Sequence, residues 1–191
     1  MLVLFGKSAS GKDTLADTLC MHYNFYRRVE VTTRPMRPTE SQGNPYAFVN
    51  EETFKNMRIL SMLIAHKSFV HIINGKKKRV YYGIMKSALE LMNDQDCLIT
   101  TNIEMAEQLK KKIKGTSFEK TTHFVEVTCL DEIRYARLEK RGTAQQEILR
   151  RAKDEYAVYQ HSEKLRDFVV DNTYNDPIVS AEQIFKFYIN S

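Results

Sequence analysis

Leu2-Val3-Leu4-Phe5-Gly6-Lys7-Ser8-Ala9-Ser10-Gly11-Lys12-Asp13-Thr14 is the stretch on which the architecture turns. Four successive apolar residues predict a buried strand over Leu2 to Phe5. A loop of small residues follows, and then Leu15, Ala16, Leu19, Cys20 and Tyr23 recur at the spacing of one helix face, to about Tyr23. Gly6 to Lys12 fits the pattern GxxxxGK. In such a loop small residues let backbone N–H groups close around phosphate oxygens, the lysine reaches the outer phosphates, and the helix N-terminus adds its positive end. Gly6, Ser8, Ala9, Ser10, Gly11, Lys12, Asp13 and Thr14 are therefore the candidate ATP-binding residues. Asp13 stands where a serine or threonine would normally meet Mg²⁺, and Thr14 comes one place later. Carboxylate and hydroxyl oxygens both suit that ion, so Asp13 and Thr14 are the candidate metal ligands.

Working outward, residues 28–83 change rhythm. Short β-rich pieces (Val29–Thr33, Tyr46–Val49, Phe69–Ile73, Val80–Tyr82) surround a helix expected after an Asn50 cap, with Phe54, Met57, Leu60 and Ile64 on one face. Asn74-Gly75 is a hairpin signal. After Gly83 helix and strand alternate again: a helix over Met85–Met92, a strand over Cys97–Thr101, a helix over Ile103–Lys114 closed by Gly115, and a strand over Phe124–Thr128. Helices over Asp131–Arg141 and Gln145–His161, a strand over Phe168–Val170 and a terminal helix opened by a Ser180/Gln183 capping box complete the chain. The expected fold is α/β, a doubly wound parallel sheet formed by residues 1–27 and 84–191. Residues 28–83 form an inserted mixed-β lobe, and a helical lid spans about 137–160.

A chain of 191 residues has room for one such domain. Cys20, Cys97 and Cys129 lie far apart and form no CxxC pair, which argues against a zinc ribbon or a disulfide framework and for a reduced compartment. MLVLFGK is too short for a secretory leader core, and no apolar run approaches the ~20 residues of a membrane span. A cytoplasmic protein without membrane attachment is expected. The net charge of +5 suits nucleic acid or a site for several phosphates.

Two further clusters carry chemistry. Thr32-Thr33-Arg34-Pro35-Met36-Arg37-Pro38-Thr39-Glu40, followed by Gly43, Tyr46, Phe48 and Val49, places two planar guanidinium groups and a phenol on a proline-stiffened segment, a clamp for a phosphate. Arg137-Leu138-Glu139-Lys140-Arg141-Gly142-Thr143, with Ile148 and Arg151, is a basic helical segment placed where a lid would follow the core strand at 124–128.

These strings, with Tyr81-Tyr82-Gly83, resemble the guanylate kinase family over Leu2 to about Asn172, in its patterns TTRxPRxxE, YYG and RLxxRGT…IxxR. The resemblance implies a P-loop NTPase fold and Mg²⁺-assisted transfer of a phosphoryl group from ATP to GMP or dGMP. It implies that Arg34, Arg37, Tyr46 and Tyr82 hold the acceptor phosphate and that Arg137, Arg141 and Arg151 close over the transferring group beside Lys12. Asp171 and Asn172 resemble, in reversed order, the family's Asn-Asp pair next to the adenine.

This chain departs from the family at several points. The family's DxDxQG segment is here Thr100-Thr101-Asn102-Ile103-Glu104, and both aspartates are gone. Asp13 is a candidate to restore the metal carboxylate. The serine four residues before the first clamp arginine is Glu30, the residue after YYG is Ile84, and the guanine-pairing glutamate aligns with His71. Glu30 and His71 are thus the candidate base-contacting residues. Three alternatives stay open: a kinase for another (deoxy)nucleoside monophosphate or for a non-nucleotide phosphate, a catalytically lost protein-binding module, and, less favoured, a nucleic-acid-binding protein prompted by the basic charge and Lys76-Lys77-Lys78-Arg79. Monomer and homodimer are equally compatible with the sequence.

Overall fold

The computed structural model describes residues 1–38, 40–73, 75–90, 96–174 and 176–191. Its first sheet is built on β1 (Leu2–Phe5), whose four side chains are wholly buried, as a continuous apolar run demands of a strand covered on both faces. β1 pairs in parallel with β7 (Cys97–Thr101) and β8 (His123–Thr128). β2 (Tyr26–Arg27) and β9 (Phe168–Asp171) extend the sheet to the order β2-β7-β1-β8-β9. Leu2 and Leu4 point to one face, where α1 (Lys12–Tyr23) and α7 (Pro177–Ile189) supply Leu15, Leu19, Ala181 and Ile184. Val3 and Phe5 point to the other, where α4 (Ile103–Ile113) supplies Met105, Ala106 and Leu109. The central strand therefore ends between two neighbours that follow much later in the chain, and its carboxyl end opens onto a crevice.

The second sheet runs β4-β3-β6-β5, from β3 (Glu30–Thr32), β4 (Tyr46–Phe48), β5 (Leu63–Ile73) and β6 (Lys76–Met85). β3 is parallel to β4 and antiparallel to β6, and β5 is antiparallel to β6. The pleat sorts its side chains. Val31, Ala47 and Tyr81 face α2 (Glu51–Ile59), whose Phe54 is fully buried, while Glu30, Tyr46, Phe69, His71 and Tyr82 face the crevice. Asn50 caps α2 by accepting the Thr53 N–H at 2.7 Å.

Several expected boundaries move. α2 stops at Ile59, the chain turns through Ser61 at φ 53°, and Ile64 lies in β5 rather than on the helix face. β5 and β6 are longer than the apolar pieces inside them because cross-strand pairing continues through polar positions from Ile73↔Lys76 to Leu63↔Met85. Gly75 sits in the expected turn at φ 73°, and its companion Asn74 lies outside the described residues. Met85 ends β6, and α3 covers Ser87–Glu90 alone; the rest of the helix expected to Met92 lies outside the described residues. α5 (Asp131–Lys140) matches expectation to within a residue, and α6 runs Gln145–Val158, short of the expected His161; residues 159–161 turn, and a 3₁₀ turn follows over Ser162–Lys164. α4 ends at Ile113, with Gly115 just beyond at φ 77°. Ser180 does not open α7. Asp176 caps it by accepting the Ile178 N–H at 2.8 Å, and Pro177 takes the first helical position, where a missing N–H costs nothing. Ser180 lies inside the helix, fully buried.

Candidate active site

The loop after β1 is shaped by two glycines. A Cβ on Gly6 would stand 2.3 Å from the Val127 carbonyl oxygen, and Gly11, at φ 97°, leaves no room for one against the Asn172 amide. Asn172 in turn donates Nδ2–H to the Ser10 carbonyl at 2.9 Å, tying the loop to the end of β9. Lys12 Nζ donates back to the carbonyls of Gly6 (2.7 Å) and Lys7 (2.9 Å), and burial pushes its pKa down. The Ser8 N–H is held by the Glu155 carboxylate at 2.7 Å. That carboxylate pairs with Arg134, which is 1% exposed and also donates Nε–H to the Ser8 carbonyl at 2.9 Å. Residues 6–11 thus present anion-seeking amides, and one of them carries an anion supplied by α6.

Asp13 forms an ion pair with Arg27 and lies 3.3 Å from the Thr100 hydroxyl, itself 2.8 Å from Arg27. Burial would raise the Asp13 pKa, but the Arg27 guanidinium and Lys12 outweigh it and hold the carboxyl below its usual range. Its carboxylate therefore stands at the end of β7, beside one of the positions where the sequence lacks an acid. Thr14 is exposed, does not line the cleft, and accepts the Thr18 hydroxyl on its backbone carbonyl. Among the described residues no cluster of three or more His, Cys, Asp or Glu side chains could enclose a metal. Mg²⁺ needs only one or two protein oxygens when phosphates and waters complete its shell. Asp13 with Thr100 meets that requirement, and Thr14 does not.

Across the cleft, Arg34 is 7% exposed. Its guanidinium donates to both oxygens of Glu40 (2.9 and 2.8 Å) and lies over the rings of Tyr46 and Phe48, 5.4 Å from each. Glu40 also accepts the Arg37 backbone N–H at 2.8 Å and reaches its guanidinium at 3.4 Å, so one carboxylate sets both arginines. Tyr46, Phe69 and His71 gather around Tyr82 with ring centroids 5.8, 5.9 and 6.1 Å from it, forming one aromatic wall. Burial, reinforced by Arg151, pushes the His71 pKa down to about 3, so its ring is neutral. Glu30, in register with Tyr46, is 4% exposed, and burial pushes its pKa up to about 8.

The third side of the cleft is basic: Arg141 at the end of α5, and Arg150 and Arg151 on α6. Glu147 accepts from Arg150 (2.8 and 2.9 Å), from Arg151 Nε (2.7 Å) and from the Ile72 N–H on the outer edge of β5 (2.9 Å). Burial would raise its pKa, but these donors bring it down to about 2. Arg137 is placed differently from the sequence expectation. It donates to the carbonyls of Ala9 (3.3 Å) and Asn172 (3.1 Å), bracing the loop from behind, and does not line the cleft.

One cleft thus contains Gly6, Ser8, Ala9, Lys12, Asp13, Glu30, Arg34, Arg37, Tyr46, His71, Tyr82, Arg141 and Arg151 of the expected site, and leaves Ser10, Gly11, Thr14 and Arg137 off its lining. It adds Phe69, Arg150 and Glu155, which sequence reasoning passed over although Phe69 alternates with His71 on β5 and Arg150 adjoins Arg151. Arg27 carried no signal, because a two-residue edge strand has no periodicity to read.

The guanylate kinase family model matches residues 1–186. A guanylate kinase of Clostridium tetani is 29% identical over 96% of this chain and 84% of its own length, and one of Bartonella quintana is 30% identical over 99% and 80%. The crystal structure of a guanylate kinase from Anaplasma phagocytophilum superposes with a TM-score of 0.69 over 100% of this chain and 84% of that one, at 23% identity. Among the described residues no helix is long and apolar enough to cross a membrane.

Proposed function

The chain belongs to the guanylate kinase family, and from that premise we propose that it transfers the γ-phosphoryl group of ATP to GMP or dGMP, giving ADP and GDP or dGDP. The observation that carries this reading is the facing of Lys12 and its loop, across one cleft, by the Glu40-set pair Arg34 and Arg37. Phosphoryl transfer asks little covalent chemistry of a protein. Positioning in line and neutralising charge supply most of the effect, which suits a cleft of arginines and one lysine.

In this scheme ATP lies along residues 6–13. Lys12 exchanges its two carbonyl partners for phosphate oxygens, and the Ser8 amide exchanges Glu155 for one. Arg34, Arg37, Tyr46 and Tyr82 hold the acceptor phosphate, and its base stacks against the wall of Phe69, His71 and Tyr82. Arg141, Arg150 and Arg151 approach the transferring group as α6 settles, and water is excluded. Mg²⁺ held by Asp13 beside Thr100, when bound, supplies charge neutralisation at the phosphate oxygens. Arg137 holds the loop from behind as a positioning residue. Cytoplasmic residence accords with three cysteines that form no disulfide.

The changed residues Glu30 and His71 favour a second reading, in which the acceptor is another (deoxy)nucleoside monophosphate. ADP release with GMP, dGMP, AMP, dAMP, CMP, dCMP, UMP, dUMP and dTMP separates the two. Turnover with GMP or dGMP is expected. Turnover confined to the others moves the assignment to the second reading, and silence throughout contradicts a kinase.

A further inference from the structure

The floor of the acceptor side is chemically unusual. Among the described residues no hydrogen-bond partner reaches the buried Glu30 Oε1 or the hydroxyl of Thr101 at the end of β7; both residues are 4% exposed and line the cleft. An orphaned buried polar atom is costly, and a ligand that completes its bonding explains its retention. The other acids lining the cleft among the described residues, Asp13, Glu104, Asp154 and Glu155, each form an ion pair with an arginine or lysine. Glu30 forms none.

We propose that Glu30 determines base specificity by pairing its carboxyl, one oxygen donating and the other accepting, with the C6=O and N1–H edge of a 6-oxopurine, leaving position 2 unread, so that the hypoxanthine nucleotide is an acceptor on a par with the guanine nucleotide. The choice of a 6-oxopurine rests on the function proposed above; Glu30 supplies the indifference to the 2-amino group.

The reasoning is one of donor and acceptor count. An ionised carboxylate only accepts, and so matches an edge with two donors, such as N1–H with the 2-amino group of guanine. A carboxylic acid carries one donor and one acceptor, and so matches N1–H with C6=O. Which form is present follows from what faces the group. Arg27 on β2 is engaged by Asp13, Asp17 and Thr100, and Lys12 on α1 by two backbone carbonyls. Burial is the largest influence and raises the Glu30 pKa; the Thr101 hydroxyl on β7 and the charges of Arg27 and Lys12 favour the ionised form but are outweighed. Asp13 on the same helix as Lys12 adds a like charge, and Tyr46 on β4 adds a neutral hydroxyl. A buried carboxyl in that company keeps its proton at neutral pH. With no carboxylate free among the described residues of the cleft to meet the 2-amino group, its removal forfeits little.

Equilibrium binding of GMP and IMP to the intact protein tests this, with turnover recorded alongside. Dissociation constants within about threefold of each other are expected, and GMP binding more than about thirtyfold tighter overturns the assignment. Glu30→Ala should weaken both nucleotides equally, by about tenfold or more; a larger loss for GMP than for IMP means that Glu30 reads the 2-amino group. Glu30→Gln, which keeps a donor and an acceptor, should recover most of that loss and abolish the weakening of IMP binding expected of wild type as pH rises through about 8. The base's own N1–H also ionises in alkali, so an equal weakening in Glu30→Gln assigns the effect to the nucleotide and contradicts the role of Glu30. Comparable binding of both nucleotides without phosphoryl transfer contradicts the kinase and leaves Glu30 as assigned. Failure of both to bind overturns both.

Discussion

Glu147 and Glu155, eight residues and about two turns apart on α6, each accept a backbone N–H from a different wall of the cleft: Glu147 from Ile72 on β5 at 2.9 Å, Glu155 from Ser8 in the phosphate loop at 2.7 Å. One helix therefore touches the acceptor lobe near its start and the nucleotide loop near its end, while Arg150 and Arg151 project between. The two contacts lie about 12 Å apart along one rigid helix, so a shift of α6 as a body would displace both.

Glu147 holds Arg150 and Arg151 in place, so Glu147→Ala should lower kcat by at least about tenfold and raise the acceptor KM less. Steady-state kinetics with varied GMP check this. Equal kcat in the variant would show that the arginines find the transferring group unaided.

The same carboxyl gives a pH signature. Its folded-state pKa lies near 2, below the ordinary glutamate value of 4.5, so its contribution to stability is present above pH 4.5 and is lost as pH falls toward 2. Wild type should melt above Glu147→Gln at neutral pH, and the gap should close across that acid range. A gap independent of pH would contradict the ion-pair origin.

Glu155 shields a buried cation and occupies an anion-seeking amide, two roles that oppose each other. Glu155→Ala should destabilise the fold by about 3 kcal/mol, roughly 6–12 °C in Tm, because Arg134 loses a buried partner. It should also bind ATP several-fold more tightly, since the Ser8 N–H is freed. Calorimetry reads both; weaker ATP binding by a folded variant would mean that Glu155 helps the nucleotide rather than competing with it.

Asp13 is the carboxylate that stands beside Thr100 at the end of β7. Asp13→Asn should raise the Mg²⁺ concentration for half-maximal turnover by about tenfold or more, and Thr14→Val should leave that concentration where it is. Unchanged Mg²⁺ dependence in Asp13→Asn would remove the residue from the metal site.

Much of this is legible in the chain itself, wherever one physical signal dominates. Leu2–Phe5 announces a doubly covered strand, Gly6 and Gly11 a loop with no room for side chains, and Asn50 a helix cap. The pleat of β6 then puts Tyr82 in the cleft and Tyr81 against α2, a separation already present in the adjacency of the two residues. What escaped is what tertiary contact decides. Ser180 has a good capping sequence, but Asp176-Pro177 starts the helix earlier. Ile64 continues the apolar spacing of α2, but pairing with β6 claims it for a strand. Arg27 reaches Asp13 and Thr100 only because β2 lies beside β7. Arg137 reads as a lid arginine, yet its guanidinium is drawn to the carbonyls of Ala9 and Asn172. The state of Glu30 could not be read from the letter E, since it follows from burial and from the engagement of Arg27 and Lys12 by other partners.

The central claim is tested most directly by ADP formation from ATP and Mg²⁺ with and without GMP, in wild type and in Lys12→Ala. ADP formation that requires GMP, yields an equal amount of GDP and disappears in Lys12→Ala is the predicted result. ATP hydrolysis indifferent to GMP, or no turnover by folded wild type, would contradict it.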